Sequence, residues 1–360
     1  MLRTLLLALL LALGQRANAS PQAADAGQAS GGTSAAAQQV AKQSVPLAAD
    51  ELRVLQPGSP KPVQAPPFSF MGGAQCDSRG NMYFRLAGSS HSETILEIFH
   101  DGIRSAAYFP PKPEKPDALG KAGVRDFFVS PSGKVYELLH NEKDQGTVVI
   151  EFDSDGSVRD TVKPEVPERL QPLSLAVFDD GTLLIQGFIH ILKPGEQTSD
   201  AVRSYVALFD ASGKLRKELT GFPDFSLSVW SKSIQDGGVA IGQDGNAYLL
   251  DANSITVISE TGEIARRMPY KKPDPDLIAP MLTFSDGLIA IKVLKHEGGN
   301  IISRYLVVRA DNGETVGYYS LLQDESNRPV ALCFSRNEGF TFLKLQVEEQ
   351  KLTLVNAPWQ

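Results

Sequence analysis

Two interleaved series of glycine-centred turns divide the chain at a near-constant interval, and that interval limits the folds open to it. One series reads "HDGIRSAAY" from His100, "DSDGSVRDT" from Asp153, "DASGKLRKE" from Asp210, "SETGEIARR" from Ser259 and "ADNGETVGY" from Ala310. Its glycines, at 102, 156, 213, 262 and 313, stand 54, 57, 49 and 51 residues apart. The other reads "DSRGNMYFRL", "SPSGKVYELL", "DDGTLLIQGF", "QDGNAYLLD", "SDGLIAIKV" and "RNEGFTFLKL", with glycines at 80, 133, 181, 245, 287 and 339. Apolar runs of four to eight residues, such as "TILEIF", "TVVIEF" and "SYVALF", flank these turns. Each unit of roughly 50 residues therefore holds about four short strands joined by hairpin turns, a signature of the β-propeller. Several runs are apolar on both faces, as strands buried between stacked sheets must be.

The expected fold is all-β: a six-bladed β-propeller of four-stranded antiparallel blades, its ring closed by an N-terminal strand. The last unit offers only three strands, "PVALCFS", "GFTFLKLQ" and "KLTLVNA". The strand-like "DELRVLQPG" is left over at the other end, so Leu52 to Gln56 is expected to complete the last blade and remove the ring's free edges. The turn-then-strand motif, as in "DSRGNMYF" and "QDGNAYLL", followed by a strand ending in "FDSDG" or "FDASG", resembles six-bladed propellers of the NHL-repeat type from about Leu52 to Pro358. That resemblance specifies a fold and leaves function open. WD40 and kelch signatures are absent.

The first 50 residues are of another kind. Arg3, the apolar run Leu5 to Leu13 and the small-x-small Ala17-Asn18-Ala19 form a secretory signal peptide pattern over residues 1–19. Residues 20–50, rich in Ala, Gln, Gly and Ser, bury too little to offset the entropy of ordering and read as a disordered spacer. Residues 51–360 form the propeller domain. Export to the periplasm or outside the cell follows, and no run in the mature chain is long enough to span a membrane. The formal charge of -7 becomes -9 once Arg3 and Arg16 are removed. An acidic surface excludes nucleic acid as a partner, because that binding rests on neutralising phosphates with Lys and Arg. In an exported chain, Cys76 and Cys333 are a candidate disulfide. They fall in the first strands of the first and last units, which a closed ring makes neighbours.

The stretch "EFDSDGSVRD" has the look of a calcium loop. Asp153, Asp155 and Asp160 are its candidate ligands, with Glu151 ahead of them. Equivalent copies read "DASG", "SETG" and "ADNG", which cannot form the same oxygen cage. A hard cation needs about six oxygens, and Arg159 stands where the last carboxylate should be. A plain hairpin turn, with Asp capping the first position, accounts for the same residues.

In a four-stranded blade the Gly turns are the first and third connections and share one face of the ring. The other face carries the long connections: Pro110 to Gly123, Gly187 to Val202, Gly221 to Gly237, Met268 to Pro280, Lys295 to Asn300 and Leu321 to Pro329. Long loops on a rigid scaffold are where binding residues concentrate. Arg125, Asp126, His190, Trp230, His296 and Arg328 are the candidate binding residues there. Each has a plainer reading: an Arg125–Asp126 ion pair, a strand-end His190, a loop-anchoring Trp230, and solvated His296 and Arg328. A lactonase- or lyase-type propeller enzyme would need several Asp, Glu, Asn or His groups converging on the channel around a metal. Among the starts of the first strands only Asp126 is a carboxylate, and no nucleophile or phosphate-binding motif occurs. The reading is therefore a binding module without catalytic residues or cofactor, for a protein or small-molecule ligand, with the metalloenzyme as the alternative.

Overall fold

A computed structural model describes residues 51–63, 70–87, 93–98, 104–108, 123–141, 146–191, 202–222, 238–251, 253–274, 278–285, 287–297, 300–321, 329–335, 339–346 and 351–358. The proposed leader and spacer lie outside these. Every described element is a strand or turn. Four consecutive antiparallel strands build each of the first five blades. The first is β3 (Phe70–Cys76), β4 (Met82–Ala87), β5 (Glu93–Ile98) and β6 (Arg104–Tyr108), and the next β7 (Gly123–Val129), β8 (Val135–Asn141), β9 (Gly146–Phe152) and β10 (Val158–Val162). Then come β11 (Leu170–Val177), β12 (Leu183–His190), β13 (Val202–Phe209) and β14 (Leu215–Leu219), followed by β15 (Val239–Ile241), β16 (Ala247–Leu250), β17 (Ser254–Ile258) and β18 (Ile264–Pro269). The chain continues through β19 (Ile278–Ser285), β20 (Leu288–Glu297), β21 (Asn300–Arg309) and β22 (Thr315–Leu321), and ends with β23 (Pro329–Ser335), β24 (Gly339–Gln346) and β25 (Lys351–Ala357). Inner strands neighbour one another in turn, β3 to β7, β11, β15, β19, β23 and back to β3, so the ring is closed.

Closure differs from the expectation in one respect. The strand that completes the β23–β25 blade is β2 (Lys61–Val63), paired antiparallel with β25. The segment expected there, β1 (Leu52–Leu55), lies parallel to β22 as a fifth strand on the β19–β22 sheet. The described strands thus make five four-stranded sheets and one five-stranded sheet, in place of six uniform blades. Two side chains explain the placement. Leu55 is buried among Tyr305, Tyr319, Leu321 and the phenylalanines of β23 and β24. Arg53 lies over the Tyr319 ring and donates to its hydroxyl at 3.2 Å. Pro62 of β2 has no N–H to give, which an outermost strand tolerates.

Blades stack through apolar faces. Between β19–β22 and β23–β25, Tyr305 meets Phe340 and Phe342 with ring centres 5.5 and 5.2 Å apart. Between β3–β6 and β7–β10, Tyr83, Ile95 and Tyr108 pack on Phe127, Val135 and Phe152. A polar chain is buried at that seam. Arg79 is paired with Asp77 at 2.7 Å, and Tyr83 joins Asp77 (3.3 Å) to Glu97 (3.1 Å), which also accepts from Tyr108 at 2.8 Å. Burial, with the carboxylates beside them, pushes both phenols well above their ordinary range.

The third-turn glycines meet two demands at once. Gly156, Gly213, Gly262 and Gly313 all have positive φ, as the hairpin turn requires. Each also presses on the end of the preceding blade's outermost strand. A Cβ at Gly156 would stand 2.2 Å from Ala107 O, at Gly213 2.6 Å from Lys163 O, and at Gly313 2.9 Å from Pro269 O. The strong twist of each blade delivers its outer strand to the next blade's turn. First-turn Gly245 has φ +75 with nothing within 4 Å of its absent Cβ. Gly245→Ala should lower stability by about 1–2 kcal/mol, the left-handed strain alone. Gly213→Ala should lose roughly 1–3 kcal/mol more from overpacking. Equal losses in urea unfolding would refute the close-approach role.

Cys76 and Cys333 are joined by a disulfide, Cα atoms 6.1 Å apart and 257 residues apart in sequence. It fastens β3 to β23 at the inner side of the junction that β2 closes at the outer side. Cys76→Ser with Cys333→Ser should lower unfolding free energy by about 2–5 kcal/mol. Calorimetry of the double variant, or of the native chain with reductant, measures it, and an unchanged midpoint would show that strand pairing alone carries the closure.

Candidate functional site

The first strand of each blade starts at the long-connection face, and the second strand ends there. At that level five of the six inner strands share an irregularity. The register slips by one residue between Met71 and Ala74, Val124 and Asp126, Pro172 and Ser174, Ile278 and Met281, and Pro329 and Ala331. Such bulges bend strands at barrel rims and aim side chains. They also explain how Pro172, Pro280 and Pro329 sit in innermost strands, because a bulge residue need not donate to the ladder.

Topology brings four of the six candidate binding residues to this face. Arg125 is the extra residue of the β7 bulge and is half-buried. His190 ends β12, half-buried, edge-on to Phe188 with ring centres 5.2 Å apart. His296 pairs with Ile301 near the end of β20. Trp230 and Arg328 lie outside the described residues. Asp126 starts at the same level and is 1% exposed. Its Oδ2 accepts the Leu175 N–H of the next inner strand at 2.8 Å. The bulge leaves the Arg125 position half-buried, and Asp126 beside it braces the two blades. Gln75 does the same one blade earlier. Its amide donates to Phe127 O at 2.5 Å and accepts from Val129 N–H at 2.8 Å. Sequence reading missed Gln75 because a single amide in a strand carries no chemical signature.

The acidic stretch around Gly156 forms a hairpin turn. Gly156 N–H donates to Asp153 O at 2.9 Å and Asp153 N–H to Ser157 O at 2.8 Å. Asp155 accepts from the Ser157 N–H and hydroxyl, at 2.8 and 2.6 Å. Those bonds, the hydroxyl's first, hold its carboxyl below the usual carboxylate range. Asp160 accepts from Thr161 N–H at 2.7 Å. Glu151, the fourth oxygen donor of the calcium-loop pattern, faces Arg159 at 3.1 Å and Lys134 at 3.6 Å. Two cations there oppose a third. Among the described residues no group of three His, Cys, Asp or Glu side chains is placed to hold a metal ion, and no helix is long and apolar enough to cross a membrane.

Two shallow depressions, of about 300 and 350 Å³, flank Lys217 at the outer seam of the β11–β14 and β15–β18 blades. Lys217 itself donates to Gly262 O at 2.7 Å.

Lys292, in the middle of β20, was also missed. It stands between Met281 of β19 and Tyr305 of β21. It is 2% exposed, and burial pushes its amine down to about 7. Its signal is a lone charge in the apolar run "LIAIKVL".

No known protein family and no curated protein matches the chain. Solved structures do, by fold. A putative gluconolactonase is 15% identical over 84% of this chain and 94% of its own, with a TM-score of 0.47. The WD40 domain of Neurospora crassa Pan2 is 10% identical over 82% and 90%, also at 0.47. The β-propeller domain of the Trilobed protease of Pyrococcus furiosus is 14% identical over 80% and 95%, at 0.42. At these identities the likeness is one of architecture.

Lys292 gives this region a pH signature. Its folded pKa lies below the ordinary 10.5. Below about pH 7 the folded chain must hold a buried charge, and the full penalty applies. Between about 7 and 10.5 the unfolded chain binds the extra proton, so stability rises with pH. At roughly 1.4 kcal/mol per pH unit the penalty is on the order of 5 kcal/mol. Lys292→Met should therefore be more stable than the native chain at pH 7, with the gap closing toward pH 10. A gap that ignores pH in paired thermal melts would refute this account.

Proposed function

We propose that the chain is an exported, non-catalytic propeller that binds a protein or small-molecule ligand through its long-connection face. One observation carries the reading. The inner-strand polar groups that a channel enzyme would aim at substrate, Gln75 and Asp126, are committed to the backbone of the neighbouring strand. Arg125 and His190 stand half-buried near strand ends on the long-connection face. Export rests on the leader pattern of residues 1–19. An NHL-type relationship belongs to the same reading and is supported by the turn motif that links β3 to β4 and β15 to β16.

Metal analysis of residues 20–360 after dialysis against metal-free buffer tests this reading. The expected result is no stoichiometric metal, no lactone hydrolysis above buffer, and a thermal midpoint unmoved by chelator. Partner capture by the immobilised chain should weaken in Arg125→Ala with His190→Ala while the midpoint holds. One equivalent of calcium, zinc or manganese, with hydrolysis abolished by chelator, would replace the binding module with a lactonase-type enzyme.

A further inference from the structure

β1 stands outside the antiparallel repeat. It is the one strand in the described set that joins its sheet in parallel, and it comes from the far end of the chain: Arg53 and its partner Tyr319 are 266 residues apart. Its hold on β22 is confined to four register pairs, Leu52–Tyr318 through Leu55–Leu321. Two of its four side chains face solvent, Leu52 at 37% and Val54 at 49%. The others carry the recognition. Leu55 enters the apolar cluster of Tyr305, Tyr319 and Leu321, and Arg53 covers the Tyr319 ring. An unfilled slot would leave that cluster open to water.

The body of the ring takes hold again at Gly58, whose N–H donates to Asn356 O at 2.7 Å, and then at Lys61, paired with Leu354. Residues 51–57 are thus an arm whose described strand pairing is to the β22 edge alone. The hinge carries Pro57, whose fixed φ favours an extended path. The segment seated there is an extended strand with Arg53 and Leu55, two residues apart, making the contacts. A second copy of this chain presents that same segment.

We propose that the arm exchanges between copies, β1 of one chain seating on β22 of another in the same parallel register. Exchange conserves every contact of the slot, so it needs no new interface, and protein concentration against the tether's effective concentration sets the balance. Two differently tagged chains test it, one carrying Val54→Cys and the other Ser320→Cys. These positions are register partners. Neither is buried, so both variants should fold.

The chains are mixed at total concentrations from about 10 µM to about 1 mM, bracketing the millimolar range of a short tether, then oxidised and run without reductant. The expected product is a covalent heterodimer that rises with concentration, absent from the Ser320→Cys chain alone and reduced several-fold by adding Arg53→Ala. One chain carrying both cysteines should close internally at low concentration. The proposal falls if light scattering shows only monomer throughout and no heterodimer forms. It falls equally if a dimer forms without the Val54–Ser320 bond, or if the double-cysteine chain fails to close.

Discussion

The ring's closure governs the rest of this structure, because every blade is stable only between two neighbours and the chain's two ends must supply the last pair of faces. A blade left with one face bare would expose rows of apolar side chains such as Phe340 and Phe342, which the seams bury completely. The junction is made at two radii. On the outside, three residues of β2 pair with β25. Near the axis, the disulfide ties β3 to β23. Three residue pairs are a short grip for so long a chain, and a covalent tie at the inner radius removes the loop-closure entropy that such a grip would otherwise have to overcome.

Much of this was legible because the turns are chemically constrained. A left-handed position in a tight hairpin selects glycine whatever the surrounding packing, so Gly80, Gly133, Gly156, Gly213 and their counterparts announce themselves. Leu52 to Gln56 was legible as a strand but not its partner, and Lys61–Val63 was not legible as a strand at all. Leu52–Leu55 and Lys61–Val63 sit within a dozen residues of each other, and their choice between β22 and β25 depends on a pocket for Leu55 and a ring for Arg53 built more than 200 residues later. No local pattern encodes that.

The candidate site was less legible for a related reason. Residue type suggested that Arg125 and Asp126 would act together at the surface, since opposite charges one apart invite pairing. The one-residue bulge at Arg125, and the buried bond by which Asp126 braces Leu175, leave no mark in these residue types. Bulges leave a faint trace: Gly72-Gly73, Pro172, Pro280 and Pro329 are all poor ladder residues at corresponding heights of innermost strands. Read together they mark where the channel mouth departs from regular geometry. Read singly they are only interruptions.

Buried polar groups in this ring fall into two physical kinds. Gln75 and Asp126 bond the backbone of the neighbouring blade across a seam, so their burial fixes which blade faces which, while the Asp77–Tyr83–Glu97–Tyr108 chain is satisfied within the first blade. Lys292 is different, since its desolvation pulls the amine toward neutrality at ordinary pH. The first kind specifies geometry through directed bonds. The second imposes a tension that the seam's aromatic packing around Tyr305 must outweigh. That tension and the arm of β1 fall on the same sheet and on one register line, Met281, Lys292, Tyr305, Tyr319, Arg53. The line runs from an inner strand to the solvent edge, with a buried cation near one end and a half-buried cation closing the other over a tyrosine. The β19–β22 sheet is thus the place where the repeat is least regular in both composition and strand number, and the added strand is what covers its aromatic row.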